Sequence, residues 1–113
     1  MRVKEEMKIL ITAGPTREYI DPVRFISNPS TGRMGYLIAG ECVKKGYEVI
    51  LISGPTHLKE PDKVKYIKVE TAEEMRKAVL KYFPQIDILI MSAAVSDWKP
   101  AIKVKEKIKR KKE

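Results

Sequence analysis

The chain has 113 residues, a mass of 13.0 kDa and a formal net charge of +8. Hydrophobic residues make up 43 % and charged residues 34 %, which excludes a disordered or low-complexity protein and fits one compact domain. The charge is unevenly placed: residues 1–98 net +2, whereas the tail at 99–113 carries eight Lys and Arg against Glu106 and Glu113 and nets +6. A near-neutral body with a basic tail is not a general nucleic-acid surface. Cys42 stands alone, which excludes an internal disulfide and a cysteine-cluster zinc site. The charged start, Met1-Arg2-Val3-Lys4-Glu5-Glu6, has no signal-peptide core. The longest apolar stretch, around 86–95, is broken by Asp87 and too short to cross a bilayer. These features predict a soluble cytoplasmic protein.

The first predicted element is a buried strand over 7–12 (MKILIT), closed by Ala13-Gly14-Pro15. A connection of about 19 residues follows, far longer than the roughly 2–6 residues usual between strand and helix. A helix is predicted over 32–45, capped by Ser30-Thr31 and stopped at Gly46, with Met34, Leu37, Ile38 and Cys42 on one face. Strands follow over 47–53 and 64–69, the second half exposed. Thr71 and Glu74 form a capping box for a helix over 71–83, whose inward stripe is Met75, Ala78, Val79, Tyr82 and Phe83. Pro84 ends it, and a last strand covers 86–92. Right-handed crossovers then give a doubly wound, Rossmann-like parallel sheet with helices on both faces and strand order 3-2-1-4.

Ligands in such sheets bind beyond the carboxyl ends of the strands. Three strands here end in small or polar residues: Ala13-Gly14-Pro15-Thr16, Ser53-Gly54-Pro55-Thr56 and Ser92-Ala93-Ala94-Val95-Ser96-Asp97. Each could be a plain turn; three at one edge point to a site whose backbone amides hold phosphate oxygens. The long loop gathers Arg17, Arg24, Asn28, Ser30 and Thr31 before Gly32, which is anion-binding chemistry. No dinucleotide fingerprint or P-loop is present, and Ser53 stands where a dinucleotide-binding fold places an acidic residue for the ribose. His57 has no His or Cys near it, so no metal site is expected. Cys42 reads as core, and Trp98 as either packing or base stacking. Lys103, Lys105, Lys107, Lys109 and Lys111 alternate with other residues, as in an extended basic arm or a solvated end.

Taken together, these segments resemble a known family. The resemblance rests on ITAGPTRE (11–18), IDPVRFISN (20–28), STGRMG (30–35), SGP (53–55), AAVSDW (93–98) and KIKR (107–110). It is a resemblance to the phosphopantothenoylcysteine synthetase domain of coenzyme A biosynthesis, the C-terminal half of a bifunctional bacterial flavoprotein, and it covers about residues 8–110. The resemblance implies that the chain is an incomplete, N-terminal part of that domain. It implies a ligase joining 4'-phosphopantothenate to L-cysteine through an acyl-cytidylate, with CTP and Mg²⁺ and no FMN in this chain.

It also implies a homodimer and a fused or associated phosphopantothenoylcysteine decarboxylase, with no membrane or nucleic-acid partner. By position, Asn28 and Lys109 would be catalytic. Arg24, Asn28, Ser30, Thr31 and Gly32 would bind the acyl substrate. Gly14, Gly54, Ala93, Ala94, Asp97, Lys107 and Lys109 would hold the nucleotide, the lysines from a flap. The competing readings are an NAD(P)-binding module of an oxidoreductase and a nucleic-acid binder acting through the tail. The first lacks the acidic residue at Ser53; the second lacks a basic body and any aromatic after Trp98.

Overall fold

The computed structural model describes residues 7–101 and Lys105. Apolar runs rich in Ile, Leu and Val form the strands β1 (Lys8–Ala13), β4 (Glu48–Ser53), β5 (Lys65–Lys68) and β6 (Ile88–Met91). Two short strands, β2 (Arg17–Tyr19) and β3 (Phe25–Ser27), lie in the long connection. The helices are α1 (Arg33–Lys44) and α2 (Ala72–Tyr82), and a 3-10 turn over Phe83–Gln85 carries Pro84.

The main sheet is parallel in the order β5-β4-β1-β6. This is the 3-2-1-4 arrangement that right-handed crossovers require. Strand alternation divides the core in two. Ile9, Ile11, Ala13, Val49 and Leu51 meet Tyr36 and Ala39 of α1 on one face. Leu10, Ile50 and Ile52 meet Val69 with Met75 and Tyr82 of α2 on the other. The central strands are buried on both faces, as a parallel sheet between helices demands. Among the described residues β6 has β1 as its one neighbour, and there Ile88 and Met91 are exposed rather than buried.

The inward face of α1 differs from the one expected. Gly35, Tyr36 and Ala39 are buried, while Met34 and Leu37 face outward. Small residues win because the helix runs close over the sheet: a Cβ at Gly35 would stand 2.5 Å from both Ala13 Cβ and Ser92 Oγ. Cys42 is half-buried against the same core, and burial pushes its thiol pKa up. In α2, Phe83 falls beyond the helix and is exposed, so the inward stripe ends at Tyr82.

Thr71 caps α2, its Oγ1 accepting the Glu74 amide proton at 3.1 Å. Glu74 closes the box onto the Thr71 hydroxyl instead of the backbone. Thr71→Ala is expected to cost about 1 kcal/mol in a denaturant melt.

The long connection is not an irregular loop. β2 and β3 pair antiparallel, Arg17 opposite Ser27 and Tyr19 opposite Phe25. Asp21, fully buried, turns the hairpin by accepting the amide protons of Val23 (2.8 Å) and Arg24 (2.7 Å). Arg17 lies 4.5 Å over the Phe25 ring, and Tyr19 packs edge-on against it at 5.6 Å. No helix among the described residues is long and apolar enough to cross a membrane.

Candidate functional site

The strand order puts the carboxyl ends of β1 and β4 and the start of α1 in one corner. Gly14 (φ 77°) ends β1 and Gly32 (φ 79°) precedes α1. Both adopt the left-handed backbone that favours glycine. They touch: a Cβ on Gly32 would lie 3.3 Å from Gly14 Cα. Gly54 closes the third side against Pro15, and its amide donates to the Ala13 carbonyl at 2.9 Å.

The two helix starts contrast sharply. At α2 the chain supplies its own anions: Glu18, buried, accepts the Ala72 amide proton at 2.9 Å, and Glu73 and Glu74 stand in the first turn. At α1 the first turn has no acidic residue. Ser30 Oγ accepts from the Gly32 amide (3.2 Å) and Thr31 Oγ1 from the Arg33 amide (3.3 Å). The next two amides, of Met34 and Gly35, have no hydrogen-bond partner among the described residues. Unpaired amides at the positive end of a helix dipole are what a phosphate or carboxylate requires.

A cleft of about 410 Å³ opens beside this corner, lined by Arg17, Ser30, Thr31, Thr56 and His57 among others. A second, of about 350 Å³, is lined by Ser53, Tyr66, Lys68, Glu70 and Glu74. Arg17, Pro55 and Thr56 line both and form the wall between them. Arg17 and Lys68 have no ion-pair partner among the described residues, so two cations face these clefts.

The remaining sequence-selected residues separate into four groups. Asn28 ties the hairpin to the segment after β6, its Nδ2 donating to the Val95 carbonyl at 2.8 Å. Ala93 and Ala94 extend the β1–β6 pairing: the Ala94 amide donates to the Gly14 carbonyl at 2.9 Å, and the Ala93 amide reaches Thr12 Oγ1 at 3.4 Å. Arg24 and Asp97 stand apart from the corner. Arg24 is exposed beside Asp21, its Nε 4.0 Å from the carboxylate. Asp97 lines an apolar groove with Met75, Val79, Met91 and the exposed Trp98. Lys107 and Lys109 lie outside the described residues. Among the described residues no three His, Cys, Asp or Glu side chains are grouped to hold a metal ion.

Sequence reading missed four polar side chains that build this region. Asp21 and Glu18 gave no signal beyond their type, because their partners are backbone amides. Tyr36 and Tyr66 meet through their hydroxyls only in three dimensions. Burial, and then the hydrogen bond with Tyr36, push the Tyr66 pKa up to about 12 from the usual 10.0. A pKa raised by folding favours the neutral phenol, so this contribution is present below pH 10 and is lost as pH rises toward 12. Absorbance at about 295 nm should show one late-titrating tyrosine that Tyr66→Phe removes.

Fold and site together define a Rossmann-like α/β domain with unpaired helix-start amides at its strand ends. Residues 4–113 match the family described as DNA/pantothenate metabolism flavoprotein C-terminal domain, and the chain belongs to that family. The Coenzyme A biosynthesis bifunctional protein CoaBC of Borreliella burgdorferi is 50 % identical over 105 residues, 93 % of this chain and 27 % of the relative. The Escherichia coli protein of the same name is 48 % identical over 106 residues, 94 % of this chain and 26 % of the relative. The chain thus spans about a quarter of these relatives.

A solved C-terminal domain of CoaBC superposes with a TM-score of 0.81 at 52 % identity, covering 85 % of this chain and 48 % of that one. The DNA/pantothenate metabolism flavoprotein of Streptococcus pneumoniae gives 0.78 at 38 % identity, covering 83 % and 42 %. A more distant structure, described as a complex with phosphopantothenate-cysteine, shares the fold at 22 % identity and a TM-score of 0.57.

These matches revise several expectations. The domain named is the C-terminal one of a bifunctional protein, so the chain is corrected from an N-terminal part to a stretch of that C-terminal domain. The family is named for a flavoprotein, and neither its description nor those of the two nearer solved domains names a ligase, CTP or Mg²⁺. The CTP-dependent ligase, its CTP and Mg²⁺, and the exclusion of FMN are therefore set aside in favour of that coarser statement. The partner set of 4'-phosphopantothenate and L-cysteine is set aside with them. The relatives are named as single bifunctional proteins, so the expectation of a fused or associated decarboxylase partner is set aside.

The flavin in the family's name can be tested against the residues. The corner's amides suit a phosphate, that of FMN included. They do not sit beside a flat apolar slot for a flavin ring: Phe25, the aromatic side chain of the adjoining cleft, is covered by Arg17 on its face and Tyr19 at its edge. The fit is therefore to the phosphate end alone. The flavoprotein name is that of the family and of the Streptococcus pneumoniae protein, of whose solved chain this chain covers 42 %.

Proposed function

We propose that the Gly14–Gly32–Gly54 corner binds the phosphate group of a phosphorylated small molecule of coenzyme A biosynthesis. One observation carries this reading: α1 begins with unpaired amides and no acidic residue, while α2 is capped by the chain's own carboxylates. Arg17 and the hydroxyls of Ser30, Thr31 and Thr56 add charge and hydrogen-bonding capacity around it. Asn28 holds the hairpin wall in place. The pathway comes from the names of the relatives, the ligand class from the corner.

Calorimetric titration of the full chain with pyrophosphate, coenzyme A and FMN tests this. Binding of at least one is expected, weakening as salt rises and lost in Gly32→Ala, whose backbone would be strained at φ 79°. Absence of binding by all three, or binding indifferent to Gly32→Ala, contradicts it.

A further inference from the structure

We propose that Thr56 is a positioning residue for the phosphate corner, held in a fixed rotamer by a strap of hydroxyls running through Tyr36 to β4 and β5. The inference rests on the reading above and adds the group that sets the corner's width.

The strap begins at Tyr36, one turn into α1 and 7 % exposed. Its hydroxyl meets Ser53 Oγ at 2.7 Å, the Tyr66 hydroxyl, and Thr56 Oγ1 at 3.2 Å. One set of directions satisfies every bond. Ser53 Oγ donates to the Gly54 carbonyl at 2.8 Å, so it must accept from Tyr36. Tyr36 has then spent its one proton, and both Thr56 and Tyr66 must donate to its oxygen. All four hydroxyl protons are then used, three between hydroxyls and one on the Gly54 carbonyl. Thr56 Oγ1 also accepts the Leu58 amide proton at 3.3 Å.

With Oγ1 fixed on both sides, the Thr56 methyl group is fixed too. It lies over the two left-handed glycines: a Cβ on Gly14 would come within 3.0 Å of Thr56 Cγ2, and one on Gly32 within 2.8 Å. Thr56 also forms part of the wall between the two clefts. The hydroxyl therefore sets where the methyl sits, and the methyl sets how closely the β4 turn approaches the corner. Tyr36 acts through Thr56 and does not itself face the ligand.

The test uses Tyr36→Phe, Thr56→Val and their double variant in the full chain. Calorimetry with pyrophosphate gives affinity, and ¹H–¹⁵N spectra give the Gly14 and Gly32 amide positions. Each single variant should weaken pyrophosphate about fivefold to tenfold. The double variant should be no weaker than Tyr36→Phe alone, because that change already removes the Thr56–Tyr36 bond. Thr56→Ser, which keeps the hydroxyl but loses the methyl over Gly14 and Gly32, should leave the Tyr36 bond intact and still shift the Gly32 amide. Additive losses, or lowered melting temperatures with unchanged affinity and glycine shifts, overturn the proposal. If the parent binds no pyrophosphate, the ligand reading fails by itself. The glycine shifts then decide the positioning role: coincident movement in the two single variants supports it, and unmoved signals refute it.

Discussion

Gly54→Ala is expected to be among the most damaging single-methyl additions in this chain. The new Cβ would stand 1.7 Å from the Pro15 carbonyl oxygen and 2.8 Å from its carbon. Both are backbone atoms, so no side chain can swing aside. The β1 and β4 ends would have to separate, breaking the Gly54–Ala13 hydrogen bond and opening the corner. A loss of about 3 kcal/mol or more is expected, at the upper end for overpacking. For a domain of this size that lowers the melting temperature by roughly 12 °C or more. Gly40→Ala is the control. Nothing lies within 4 Å of a Cβ there, inside α1. It should stabilise by about 0.5–1 kcal/mol through helix propensity. Equal melting of the two variants would contradict the packing described for Gly54.

Asp21→Ala is expected to cost about 2 kcal/mol. It removes the acceptor of two amides from a fully buried position, and an unpaired buried donor costs about 1–3 kcal/mol. The exposure of Val23 and Arg24 lets water recover part of that. The consequence reaches the site because the turn holds β2 against β3, and β2 carries Arg17. Asp21→Asn keeps an acceptor oxygen and should cost about half as much or less. Chemical denaturation of the pair separates the two: a similar loss in both would mean the carboxylate charge, rather than the Asx turn, matters.

The sheet and helices were legible because their signals are local or periodic. The apolar runs of β1 and β4, the Thr71–Glu74 capping pair and the Met75–Tyr82 stripe each act over a few residues. The carboxyl-end location of the candidate site follows from topology alone. The β2–β3 hairpin was not legible: its strands have three residues each, and its turn depends on Asp21 rather than a glycine pair. The face of α1 was misjudged because hydrophobicity ranks Met34 and Leu37 above Gly35 and Ala39, while a helix on which a Cβ at Gly35 would stand 2.5 Å from Ala13 Cβ selects for smallness. The motif groups Asp97 with the nucleotide residues, and in the fold it is among the residues lining the apolar groove. The hydroxyl strap joins residues 36, 53, 56 and 66, and no linear pattern announces it.

The anion corner is the central claim, and amide chemical shifts test it most directly. Pyrophosphate titrated into the ¹⁵N-labelled full chain should move the amides of Gly32, Met34 and Gly35 first, with Gly14 and Gly54, and leave Ala72, Glu73 and Glu74 at the α2 start in place. Movement at α2 instead, or none at the α1 start at saturating pyrophosphate, would contradict it.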